Sequence, residues 1–118
     1  MARNQKLAPL LAKRAVAAVE PPAAHATAPV SRFVQTAGAT WTVRFADGSA
    51  LTVRTDGSAP EGADGAAGAA VADVTQRGTT LTLALAGGAP AGQVVFHTAE
   101  ASGCVMLRDA RGGMEYAD

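Results

Sequence analysis

Two alternating runs flank Asp47-Gly48, and they constrain the fold more than any other feature. Trp41, Val43 and Phe45 alternate with Thr40, Thr42, Arg44 and Ala46, and Leu51 and Val53 alternate with Ala50, Thr52 and Arg54. A period of two gathers the apolar side chains on one face of a strand, so the runs read as a half-buried β-hairpin. The loop sets the register. A two-residue Asp47-Gly48 loop would place Phe45 opposite Ala50 and Val43 opposite Thr52, apolar against polar. A three-residue Ala46-Asp47-Gly48 loop sets Val43 opposite Leu51 and Trp41 opposite Val53. That loop is a type I turn closed by a bulge, with Gly48 left-handed. In this register Arg44 and Arg54 share the solvent face.

The β pattern continues to the end of the chain. Strand signals cover 71–75, and a two-residue Arg77-Gly78 turn would pair Val74 with Leu81. Leu81, Leu83 and Leu85 alternate with threonine and alanine over 80–86. Further strands are expected at 93–98, 103–108 and 114–116. The run at 103–108 is apolar without alternation, which suggests a central strand covered on both faces. Residues 56–70 hold no large apolar side chain and read as a long acidic Gly/Ala loop. With no helix signal after residue 32, the expected fold class is all-β, a small antiparallel sandwich or barrel of about seven strands.

The N-terminal part reads differently. Arg3, Lys6, Lys13 and Arg14 precede the first acid, Glu20. Leu7, Leu10, Leu11 and Val16 recur near helical spacing in an alanine-rich stretch, so a helix over 8–19 is expected. Pro9 is tolerated in its first turn, and Glu20-Pro21-Pro22 stops it. Residues 21–30 are Ala/Pro/Thr-rich and read as an extended linker. The expected organisation is a basic arm and linker over 1–31 and a β domain over 32–118. Formal net charge is zero for the whole chain, but residues 1–32 carry five basic groups against one acid. Residues 33–118 carry five against nine. A basic arm is joined to a mildly acidic body.

Composition then limits the function classes. Aromatic residues are 4% of the chain, and 29 of 118 residues are alanine, so the core must be aliphatic and thin. Cys104 is the one cysteine, which rules out an internal disulfide and fits a reducing compartment or a particle. Its apolar neighbours suggest a buried small hydrophobe. No run reaches the roughly 18 apolar residues of a membrane-spanning helix. Residues 1–19 have the basic, acid-free make-up of a transit peptide, and Ala24-His25-Ala26 has the small-x-small form of a signal-peptidase site. Lys13, Arg14 and Pro9 interrupt the apolar region that a signal peptide needs, so the segment is read as part of the working protein.

No cofactor or metal set is legible. His25 and His97 lack ligand spacing, and Asp56, Glu61 and Asp64 lack the alternation of a calcium loop. Gly62-Ala63-Asp64-Gly65 and Gly87-Gly88 have no strand-to-helix setting for a phosphate. Ser102, His97 and Asp109 could supply a nucleophile, a base and an orienting acid. However, Ser102-Gly103 lacks the glycine-flanked elbow, and a half-exposed strand histidine is the simpler reading.

The expectation is therefore a non-enzymatic structural or accessory subunit of a larger assembly, a virion or other multi-subunit particle being a setting that would suit it. Its arm would dock on other protein subunits, copies of itself included, through Arg3, Lys6, Leu7, Leu10, Leu11, Lys13 and Arg14. A small ligand- or nucleic-acid-binding β module, with Arg44 and Arg54 on its binding face, is the alternative. Nucleic-acid contact would be weak, because the body is net acidic. A small enzyme using His97 is the third reading.

Overall fold

A computed structural model describes residues 2–3, 5–20, 40–63, 66–86, 92–101 and 103–118. The linker expected over 21–30, together with His25, Asp64 and Ser102, lies outside the described residues. In chain order the elements are β1 (Ala2–Arg3), α1 (Leu7–Leu11), β2 (Val16–Glu20), β3 (Thr40–Phe45) and β4 (Ala50–Arg54). β5 (Ala70–Arg77), β6 (Thr80–Ala86), β7 (Gln93–His97), β8 (Val105–Arg108) and β9 (Met114–Ala117) follow. They form two antiparallel sheets, ordered β1-β5-β6-β7 and β2-β3-β4-β8-β9. The fold is an all-β, sandwich-like body, as the alternating runs require.

The β3–β4 hairpin has the three-residue register. Val43 pairs with Leu51 and Trp41 with Val53. Phe45 N–H donates to the Ser49 carbonyl at 2.9 Å, and Gly48 has φ +92°. The β5–β6 turn corrects the sequence reading. Arg77 pairs with Thr80 and Val74 with Leu83, so the loop is Gly78-Thr79 and not Arg77-Gly78. Gly78 has φ +58°, the positive φ that the first position of a two-residue hairpin turn requires to match the right-handed twist of the strands.

Inward-facing residues fill the space between the sheets. Val43, Leu51 and Leu107 come from one sheet, and Val71, Val74, Leu81, Leu83, Val94 and Phe96 from the other. Two corners fasten the layers. Thr55 bridges Thr98 at one corner and Ala15 bridges Ala70 at the other. Thr55 and Thr98 are buried, and the Thr98 hydroxyl is satisfied by the Glu100 carbonyl at 2.6 Å.

Residues 5–20 are part of this body, which corrects the expectation of a separate arm with a helix over 8–19. The helix is one short turn and a half, and Leu7, Ala8 and Leu11 are fully buried in the core. Lys13 takes φ +68°, and the chain then runs as β2 along β3. The helical spacing of Leu7, Leu10 and Leu11 is realised in this short helix, but Val16 lies beyond it on β2. There a bulge between Val16 and Ala18 lets Val16 and Val19, three residues apart, both turn to the core. Among the described residues, no helix is long and apolar enough to cross a membrane.

Candidate docking face

The outer face of the five-stranded sheet follows from the register. One rung runs Glu20, Thr42, Thr52, Met106 and Ala117, and the next Ala18, Arg44, Ala50, Arg108 and Met114. Thr40 and Arg54 form a third rung. Because side chains alternate across a strand, all of these point away from the core rungs that contain Val43, Leu51 and Leu107. β8 was expected to be covered on both faces. Only Val105 and Leu107 are buried, while Met106 is half-buried and Arg108 is exposed. The strand does alternate, but methionine stands at one outward position and hides the alternation.

Three guanidinium groups thus share one surface. Arg44 Nε donates to Glu20 Oε1 at 2.7 Å, an exposed ion pair. Arg108 Nη1 donates to the Gly112 carbonyl at 2.9 Å. Arg54 lies 3.9 Å from a Glu100 carboxylate oxygen, too long for a hydrogen bond, and its Nη2 is 3.7 Å from the Cys104 sulfur. Beside Arg54 is an open hollow of about 400 Å³, lined among others by Thr40, Thr52, Arg54, Cys104, Met106 and Asp118. Cys104 is buried and accepts from the Glu100 N–H at 3.3 Å. At the far edge of the same face, Met114 is the exposed large hydrophobic residue of the described chain, at 58%.

The residues expected to bind partners through the arm are split by the fold. Leu7 and Leu11 are buried in the core, and Leu10 packs against it. Arg3 pairs through its backbone with Thr75. Lys6 and Lys13 are exposed. Arg14 is mostly buried and binds within the body, to Ser49 Oγ at 2.8 Å and to Glu115 at 3.2 Å. The structure brings Arg44 and Arg54 to one face, as expected, and adds Arg108, Met106 and Met114 to it. The period of two in Val105-Met106-Leu107-Arg108 was the available signal for Met106 and Arg108, and none pointed to Met114.

His97 lies on the other sheet. Its Nε2 is 3.0 Å from Glu61 Oε2, and both side chains are solvent-accessible. The Asp56 carboxyl titrates below its ordinary range because it accepts from the Ser58 N–H and hydroxyl, with a smaller contribution from His97. Asp109 is engaged elsewhere, accepting from the Arg111 and Gly113 N–H groups in the turn before β9. His97 and Asp109 therefore hold different partners. Among the described residues, no three His, Cys, Asp or Glu side chains cluster as a metal site.

Comparisons with family models, curated proteins and solved structures found no match for this chain.

Proposed function

We propose that this protein is a non-enzymatic structural or accessory subunit of a larger assembly, and that it docks other protein subunits on the outer face of its five-stranded sheet. One observation carries the reading: Arg54, Met106, Arg108 and Met114 lie along one outward face of β4, β8 and β9, with Arg54 at one end of β4 and Arg108 and Met114 at the other. Arginine and methionine are the side chains enriched in protein interfaces, where a flexible apolar contact sits beside a planar donor. Among the described residues β9 is also the last strand of its sheet, an edge that suits the addition of a further strand. The N-terminal segment contributes by completing the body that presents the face.

The test is the size of the native species. In a fresh extract of its own host, the chain should elute well above its 11.8 kDa monomer mass. A folded Arg54→Glu/Arg108→Glu variant should elute as the monomer. Elution of the wild-type chain as a monomer would overturn the reading.

The hollow beside Arg54 favours a second reading, a small anionic ligand or single-stranded nucleic acid held by Arg54 and Arg44. Its volume falls at the small end of the range of ligand pockets. Salt-sensitive binding that disappears in Arg44→Ala/Arg54→Ala would support that reading over protein docking, and no binding at low salt would remove it.

A further inference from the structure

The outward positions of β2, β3, β4 and β8 carry Arg44, Arg54 and Arg108 against one carboxylate, Glu20. The opposite imbalance lies elsewhere in the same chain. Between Arg54 and Arg77 there are four acids and no lysine or arginine. Two of them, Asp56 and Glu61, are exposed. They are fixed in place along β7, the edge of the other sheet. Asp56 N–H donates to the His97 carbonyl, and Glu61 exchanges two backbone hydrogen bonds with Val95, all at 2.9 Å. The acidic segment is therefore a shaped ridge, held on a different sheet from the arginine face.

From this complementarity we infer that the partner on the arginine face is a second copy of this chain, whose Asp56–Glu61 ridge meets Arg54 and Arg108. The inference deepens the docking role proposed above and rests on it. The geometry makes the contact heterologous. Each copy offers a basic face on one sheet and an acidic edge on the other, so copies add head to tail and close into a ring or extend as a row. Arg54 is the group best placed to accept a carboxylate. Its own acid contact is long, its side chain is 44% exposed, and the hydroxyl-bearing Thr40 and Thr52 lie beside it. Its Nη2 already donates to the Cys104 sulfur at 3.7 Å, but a guanidinium has further N–H groups and can bind a carboxylate through two parallel hydrogen bonds, which gives orientation as well as attraction. Glu100, 3.9 Å from Arg54, and Asp118, which lines the hollow, are the carboxylates already beside it and offset part of its charge.

The test uses purified full-length chains and light scattering. One variant carries Arg54→Glu/Arg108→Glu and the other Asp56→Lys/Glu61→Lys. In the first, both surfaces are acidic; in the second, both are basic. Each alone should remain at the monomer mass. Mixed in equal amounts they should regain assembly, because each now offers what the other lacks. The wild-type mass at low salt should rise at least about twofold with concentration and fall as salt screens the contact. Melting curves establish that both variants are folded, and Arg54→Gln/Arg108→Gln replaces the reversal if the first is not. A wild-type chain that stays monomeric at all concentrations, or a mixture of folded variants that stays monomeric, overturns the inference. If that happens while the face variant still changes the native species in host extract, the face binds a different protein and only the self-association is lost.

Discussion

Arg14 grips Glu115 with both guanidinium tips, Nη1 and Nη2 each 3.2 Å from a different carboxylate oxygen, across 101 positions of sequence. The same guanidinium donates to Ser49 Oγ and lies 3.8 Å from Asp47. One side chain thus ties the N-terminal segment to the β3–β4 turn and to the last strand. Both partners are less than a third exposed, so the pair is screened less than an ordinary surface bridge. Arg14→Ala should lower stability by about 1–2 kcal/mol, and Glu115→Gln by about half that. Urea unfolding with an unchanged slope measures both. A loss within error for Arg14→Ala would mean that the pair is ornamental.

Leu7 and Leu11 distinguish an integral N-terminal segment from a detachable arm. Both are fully buried. Leu7→Ala or Leu11→Ala should each cost about 2–5 kcal/mol, combining lost transfer energy with a residual cavity. Removing residues 1–20 should leave residues 21–118 without cooperative unfolding, since it strips β2 from β3 and the helix from the core. A truncated chain with a sharp thermal transition near that of the full chain would refute this.

Gly48 is the residue on which the hairpin register turns. Its φ of +92° disfavours any side chain, and an added Cβ would stand 3.0 Å from the Ala110 Cβ. Gly48→Ala should cost about 1–2 kcal/mol through backbone strain, and Gly48→Val more, because branching adds a steric conflict. A thermal melt compares the three chains directly. Equal stability of the alanine and glycine forms would contradict the turn described here.

Acid sensitivity has a defined sign. The Asp47 carboxyl titrates below its ordinary 3.8, first because the Ser49 hydroxyl donates to it, then through the Ser49 N–H, with burial opposing and Arg14 adding a smaller charge contribution. Its folded value is depressed, so its contribution is complete above the unfolded value and disappears as pH falls through the folded one. Asp56 acts in the same direction. The urea midpoint should therefore drop as pH falls below about 4, and Asp47→Asn should flatten that drop while lowering stability at neutral pH. An identical acid slope in the two chains would show that Asp47 is not a contributor.

The body of the fold was legible because its strands alternate. Val43 opposite Leu51 followed from one turn and one rule about faces. The N-terminal segment was half legible: Leu7, Leu10 and Leu11 do sit on a helix, but it ends at Leu11, and Val16 belongs to a strand. Val16 and Val19 share a face through an inserted residue, as do Val71 and Val74 through a second bulge between Val71 and Asp73. A spacing of three is ambiguous wherever the flanking residues are alanine, whose helix preference is easily overridden by pairing. The docking face was half legible. Arg44 and Arg54 came with the hairpin, whereas Met106 concealed the alternation of β8, and the adjacency of Met114 to Arg108 depends on a register shift in β9 that no local signal announced.

The central claim is that the outer face of the five-stranded sheet is covered in the working assembly. Methionine oxidation reads this directly, since Met114 and Met106 both lie on that face. With dilute peroxide and peptide mass spectrometry, Met114 in the isolated monomer should oxidise quickly, as its 58% exposure requires. In the assembled species isolated from the host, the same residue should be protected several-fold, with Met106 following it. Equal oxidation rates for Met114 in the monomer and in the assembled species would contradict the account.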